Sequence, residues 1–211
     1  MPAIEALVSD LSHTQTPPDL FNPYNQVCQT HDLPDAPAIR RRNLTRLLRA
    51  HQRLQTKTLW VFEAPSHLGA RRSGAPFVNE GNFREVEEFL GLHESLEQAT
   101  HSAARIAPTT RITWNLAHEL DVKPLIWEAL PFHPHLPNQP LTNRRPRTSE
   151  LKAYLHFLTD LLAIFEPALV VAVGRVAEQA LAWAGTDATY VRHPAQGGVR
   201  QFRVQLRTLI S

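Results

Sequence analysis

What constrains this chain most is how its apolar runs end. Leu59-Trp60-Val61-Phe62 stops abruptly at Glu63-Ala64-Pro65-Ser66-His67-Leu68-Gly69. A short apolar run bounded by such a break reads as a buried parallel strand opening into a loop. The pattern recurs. Lys123 to Leu130 runs into Pro131-Phe132-His133-Pro134-His135, Ala168 to Val173 is closed by Gly174, and Thr189 to Arg192 leads into His193-Pro194-Ala195-Gln196-Gly197-Gly198. Between these runs, helices are expected over about 38–56, 82–90, 94–104, 110–120, 148–165, 175–184 and 199–210. Strands alternating with helices give a mostly parallel sheet covered on both faces. The expected fold is α/β: a three-layer α/β/α sandwich with a mostly parallel central sheet of about four strands. Residues 1–37, rich in proline, read as a short helix and an extended arm packed on the body. Residues 38–211 read as one domain, without an internal repeat or a dividing linker.

Length and composition narrow the function. The 211 residues are enough for one medium domain with a sizeable core. No apolar run approaches a membrane span, and the first residues lack a charged-then-apolar targeting pattern. A cytoplasmic location and no membrane partner are therefore expected. The single cysteine, Cys28, excludes an internal disulfide, a cysteine zinc site and a four-cysteine iron–sulfur cluster. A formal charge of +2 is a weak argument for a polyanionic partner. The distribution says more, because the basic charge is nearly all arginine: Arg40-Arg41-Arg42, Arg71-Arg72, and Arg144-Arg145 with Arg147. A planar guanidinium suits phosphates. Each cluster taken alone reads equally well as a solvated face or a cap.

In open α/β sheets ligands sit outside the carboxyl ends of the strands. Glu63, Glu128 and His193 each stand at such an end. The loop after Glu63 adds Arg71, Arg72, the flexible Gly74 and the aromatic Phe77. An acid, a basic pair and an aromatic in one strand-end loop suit a ligand made of a base and a phosphate. Alternatives stay open residue by residue: Glu63 as a solvated acid, Phe77 as core, His193 as a strand-end hydrogen bonder, Gly197-Gly198 as a tight turn. His133 and His135 flank a proline and are not at helical spacing, so no metal is expected. No phosphate-cradling glycine-lysine loop and no serine nucleophile elbow is present.

Taken together, three segments resemble the uracil-DNA glycosylase superfamily. Glu63-Ala64-Pro65 with Gly74-Ala75-Pro76-Phe77 resembles its water-activating motif and base-stacking phenylalanine. Trp127, Ala129 and Pro131 to His135 resemble its middle recognition strand. His193-Pro194-Ala195-Gln196-Gly197-Gly198 resembles its histidine-proline motif. The order of elements agrees from about residue 38 to the end. Each motif is short, and the specificity lies in their order and position at strand ends. The chain departs from the pattern at Ser66, where many relatives have glycine, and at Glu128, where the base-reading residue is typically asparagine. It lacks the cysteines of the iron–sulfur branch and so resembles a cluster-free bacterial branch.

The resemblance implies a hydrolase of base excision repair that removes uracil or another deaminated base flipped out of single- or double-stranded DNA. Glu63 would activate water and His193 would donate to the departing base. Ala64, Pro65, Ser66, Phe77 and Glu128 would hold the base. Arg71, Arg72, Arg144, Arg145, Gln196, Gly197, Gly198 and Arg200 would meet DNA, with Gln196, Val199 and Arg200 as candidates for a wedge. No cofactor is implied, and a monomer is expected. The alternative is a weak or inactive homologue that binds nucleic acid or a nucleotide in the same cleft.

Overall fold

Strict alternation along one strand assigns the two sides of the sheet. In β2 (Thr58–Phe62), Leu59 and Val61 enter one apolar cluster, while Trp60 and Phe62 enter the other. All four are buried, and each large side chain removed from water contributes roughly 1.5–3 kcal/mol. The computed structural model describes residues 2–102 and 105–210.

In chain order the elements are α1 (Pro2–His13), β1 (Leu20–Phe21), α2 (Ala36–Arg53), β2, α3 (Ala70–Ser73), α4 (Phe83–Leu90), α5 (Pro108–Glu119), β3 (Leu125–Glu128) and β4 (His133–Pro134). They continue with α6 (Thr148–Ala153), α7 (His156–Phe165), β5 (Leu169–Val173), α8 (Arg175–Trp183), β6 (Thr189–Val191) and α9 (Val199–Ile210). The main sheet has the order β3-β2-β5-β6 and every pairing is parallel. Residues of α1, α7 and α8 cover the side of Leu59 and Val61, and residues of α4, α5 and α9 cover the side of Trp60 and Phe62. The result is the expected three-layer sandwich with a four-stranded parallel sheet. Among the described residues no helix is long and apolar enough to cross a membrane.

Parallel register brings the strand ends to one edge. Phe62 pairs with Glu128, and Val173 pairs with Val191. Beyond the strands, Ala129 N–H donates to the Phe62 carbonyl (2.8 Å) and Leu130 N–H to the Glu63 carbonyl (3.1 Å). The chain leaves β2 for β3 on one side and returns to β5 on the other, so the crevice opens at the end of β2.

Two expectations change, and one pairing is new. No helix forms over 94–102, and residues 103 and 104 lie outside the described residues. The segment instead runs extended across α2, because side chains from elsewhere take its backbone groups. Asn43 accepts from Glu97 N–H and donates to the Glu97 carbonyl, both at 2.8 Å. Glu80 accepts from the N–H groups of Ala99 (2.8 Å) and Thr100 (3.1 Å). The helix expected over 148–165 is two helices, broken at Tyr154 and Leu155. The break lets Tyr154 and Phe157 both meet the Phe132 ring edge-on, at 4.9 and 5.7 Å. Lastly, β1 and β4 form a two-residue antiparallel pair that ties the N-terminal segment to the loop after β3.

Candidate active site

A cleft of about 730 Å³ opens at the carboxyl edge of the sheet. That volume suits a small polar ligand. Glu63, Ala64, Pro65, Ser66, Phe77, Glu128, Arg144, Arg145, His193 and Gln196 all line it. Residues more than a hundred positions apart thus meet because the strands are parallel and in register.

His193 has a defined tautomer. Its Nδ1 accepts from the Ala195 N–H at 3.1 Å, so the ring proton of the neutral imidazole sits on Nε2. Burial, helped by the neighbouring Arg192 charge, pushes its pKa down to about 4. The ring stands edge-on to Phe62, 5.7 Å between centroids. His193 is therefore neutral near pH 7, with an Nε2–H donor not used by Ala195.

Both acids are shifted the other way. Burial raises the pKa of half-buried Glu63, and the nearby Arg145 charge partly opposes this. Glu128 is 3% exposed, and burial raises its pKa well above the ordinary carboxylate value. Among the described residues its carboxyl makes no hydrogen bond and no ion pair, so it has not turned away to meet an arginine.

Phe77 lies against Phe62, ring centroids 3.8 Å apart. Its backbone is in the left-handed region at φ +56°, which costs a non-glycine residue on the order of 1–3 kcal/mol. The Trp114 indole N–H, donating to the Phe77 carbonyl at 2.8 Å, helps hold it there.

Several expected DNA contacts point elsewhere. Arg71 and Arg72 are buried. The Arg71 guanidinium packs over the Phe21 ring at 4.2 Å, and Arg72 Nε donates to the His67 carbonyl at 3.2 Å. Both are interior cations, which corrects their assignment to DNA. Arg144 reaches the cleft wall, but its donors are taken by Glu150 (2.5 and 2.8 Å), the His135 carbonyl (2.9 Å) and Asp19. It clamps the loop and is corrected likewise. Gly198 is buried, and a side chain there would place Cβ 2.0 Å from the His193 carbonyl. Gly198 thus closes the loop on His193 rather than meeting a strand of DNA. Arg145, Gln196, Gly197 and Arg200 are exposed. The Arg145 guanidinium makes no hydrogen bond or ion pair among the described residues, whereas Gly197 and Arg200 lie outside the cleft lining.

The sequence alone did not single out Asn143, Arg192, Arg175 or Tyr190, which also line the cleft. Arg175 stacks on Tyr190 at 4.2 Å and pairs with Glu178. Arg192 donates to the carbonyls of His193 and Gln196, at 3.2 and 3.5 Å. Among the described residues no group of three or more His, Cys, Asp or Glu side chains could hold a metal ion.

Comparison with known proteins agrees with this architecture. The sequence profile described as "Uracil DNA glycosylase superfamily" matches residues 50–205, which include every cleft-lining segment. No curated protein matches the chain in sequence. Among solved structures, the wild-type SMUG2 of Pedobacter heparinus is similar in fold, with a TM-score of 0.58 at 11% identity over 98% of this chain and 97% of that one. With most of its length matched by the family profile, the chain belongs to the uracil DNA glycosylase superfamily.

Proposed function

We propose that the protein is a DNA glycosylase that hydrolyses the N-glycosidic bond of a deaminated base flipped into the cleft. The observation that carries this reading is the convergence of Glu63, Phe77, Glu128 and His193 on one cleft, with His193 held as a neutral Nε2–H donor. The flipped base would stack on Phe77 and lie against the 64–66 backbone. As the glycosidic bond breaks, the base leaves with the bonding electron pair and its carbonyl gains negative charge. The His193 Nε2–H would donate to that oxygen. A neutral imidazole suits this role because it keeps its proton while the anion forms. Glu63 would take the proton of the attacking water, whose oxygen bonds to the sugar carbon. Its raised pKa makes it a better base than a solvated carboxylate, and Arg145 would keep it ionised.

Glu128 would read the base edge. A protonated carboxyl offers O–H to a carbonyl and C=O to an adjacent ring N–H, the pattern of uracil and other keto bases. Desolvation supports that neutral form. Arg145, Arg200, Gln196 and Gly197 are the remaining candidates for DNA contact, and the protein would act as a monomer.

Incubating the protein with single- and double-stranded oligonucleotides carrying uracil, hypoxanthine or xanthine, then cleaving abasic sites, tests the reading. Abasic sites at one or more deaminated bases are expected. No abasic site on any substrate, despite measurable binding, would favour a homologue that binds nucleic acid without cutting the bond.

A further inference from the structure

Asn143 stands in the cleft wall between Thr142 and Arg144. Its side-chain oxygen collects donors from behind. The His67 backbone N–H donates to Oδ1 at 2.8 Å, and His133 Nε2 lies 3.1 Å from the same atom. A backbone N–H can only donate, so the atom it meets must be oxygen, and the orientation of the amide follows. His133 Nε2 must then carry the ring proton. His67 Nδ1, at 3.3 Å, adds a third contact to Oδ1.

With Oδ1 taken from the protein side, Nδ2 is left over. It makes no hydrogen bond among the described residues, and Asn143 is exposed to the cleft. His133, itself fully buried, acts on the amide without lining the cleft, and so is a positioning residue. The cleft thus holds an oriented amino donor, and Glu128 lines the same cleft.

We propose that Asn143 is a specificity-determining residue, its Nδ2 donating to the exocyclic oxygen of the flipped base beside the ring N–H that Glu128 accepts. The inference rests on the base-binding reading of the cleft, and it names the ligand class more narrowly. A keto base presents oxygen to this donor. Cytosine or adenine would present an amino group, donor against donor, and that hydrogen bond would be lost.

Asn143→Asp is the discriminating variant, because it keeps an oxygen for His67 and His133 and replaces the donor with a charged acceptor. The probe is a pair of oligonucleotides carrying the cleavage-resistant 2′-fluoroarabino nucleotide of uracil or of cytosine. Equilibrium affinity for both is measured with wild type and variant. Wild type is expected to prefer uracil, and Asn143→Asp to shrink that preference about tenfold or more, the scale of one lost hydrogen bond plus repulsion. An unchanged preference in Asn143→Asp, equal weakening toward both probes, or no preference in wild type would each overturn the assignment. Abasic-site formation on ordinary uracil DNA is scored in parallel. A lack of excision with the binding preference intact would remove the glycosylase reading and leave Asn143 as the base reader.

Discussion

The segment from Glu63 to Phe77 has two sides, and they treat charge in opposite ways. On the side away from the cleft, a run of backbone carbonyls and the Arg40 charge are matched. Arg40, fully buried, pairs with Asp32 at 2.6 Å. Three consecutive carbonyls are taken by three side chains: Arg72 by Arg40 Nε at 2.9 Å, Ser73 by Asn43 at 2.8 Å, and Gly74 by the Tyr24 hydroxyl at 3.1 Å. Gly74 permits this clasp, since a Cβ there would sit 2.4 Å from the Arg40 Cβ. On the cleft side the groups are polar and left over. The Glu128 carboxyl, the His193 Nε2–H, the Asn143 amino group and the Arg145 guanidinium lack hydrogen-bond partners among the described residues. Matched charge fixes the loop, and unmatched polar groups are available to a ligand. The cost of leaving Glu128 unpartnered is visible as its raised pKa.

The sharpest way to break this contrast is to disturb the matched side. Arg40→Ala leaves Asp32 buried without its partner and should destabilise the fold by about 3–5 kcal/mol. Denaturant unfolding measures it. A loss below about 1 kcal/mol would mean the clasp is not what holds the loop.

The next effect belongs to the cleft side and should appear in rate, not stability. Glu63→Gln and His193→Ala should each slow single-turnover base release about a hundredfold or more. Binding to substrate DNA should change far less, because both residues act on charge that develops in the transition state. Matched losses in affinity and rate would move these residues from chemistry to binding.

Glu128 sits between the two classes, being buried yet unmatched. Its protonated form is the one that can both donate and accept, and that form prevails below its raised pKa. Uracil release should therefore be weak at alkaline pH and increase as pH falls through that raised pKa. Glu128→Asn should remove this limb and release uracil faster at alkaline pH. Stability follows the same sign. The folded pKa lies above the unfolded value near 4.5, so the group's contribution is intact below about pH 4.5 and is lost as pH rises. Glu128→Gln should flatten that slope. A fast, pH-independent wild type that is slowed by Glu128→Asn would show that Glu128 does not read the base.

The smallest effect is expected at the rim. Arg145→Ala should weaken DNA binding a few-fold and lower the salt slope by about one. Arg71→Ala should leave the slope unchanged and appear only as lost stability. Equal slope changes in both would place Arg71 against DNA and undo its assignment to the interior.

The sequence carried the frame of this site and little of its backing. Strands β2, β3 and β5 announce themselves as apolar runs with polar stops, so Glu63, Glu128 and the start of the 193–198 loop could be placed at one edge. The direction of an arginine could not. Arg71-Arg72 and Arg144-Arg145 look alike as letters, and only their partners distinguish them. Some of those partners lie far off in the chain, Phe21 for Arg71 and Asp19 for Arg144. Asn143 was hidden for a related reason. A two-residue pairing such as β1 with β4 is too short to leave a periodic trace, yet it ties down the start of the loop that brings Asn143 to the cleft. The 94–102 segment misled because its helical pattern was outweighed by Asn43 and Glu80, whose side chains take its backbone groups.

On the proposed function, the unmatched groups at the strand ends would perform glycosidic bond hydrolysis while the matched ones hold the fold. The most direct test is the single-turnover rate of abasic-site formation by His193→Ala, at saturating DNA carrying whichever deaminated base the wild type excises, with the unfolding midpoint of the same preparation. The expected rate is about a hundredfold or more below wild type, with an almost unchanged midpoint. A wild-type rate in His193→Ala, with the protein folded, would contradict it.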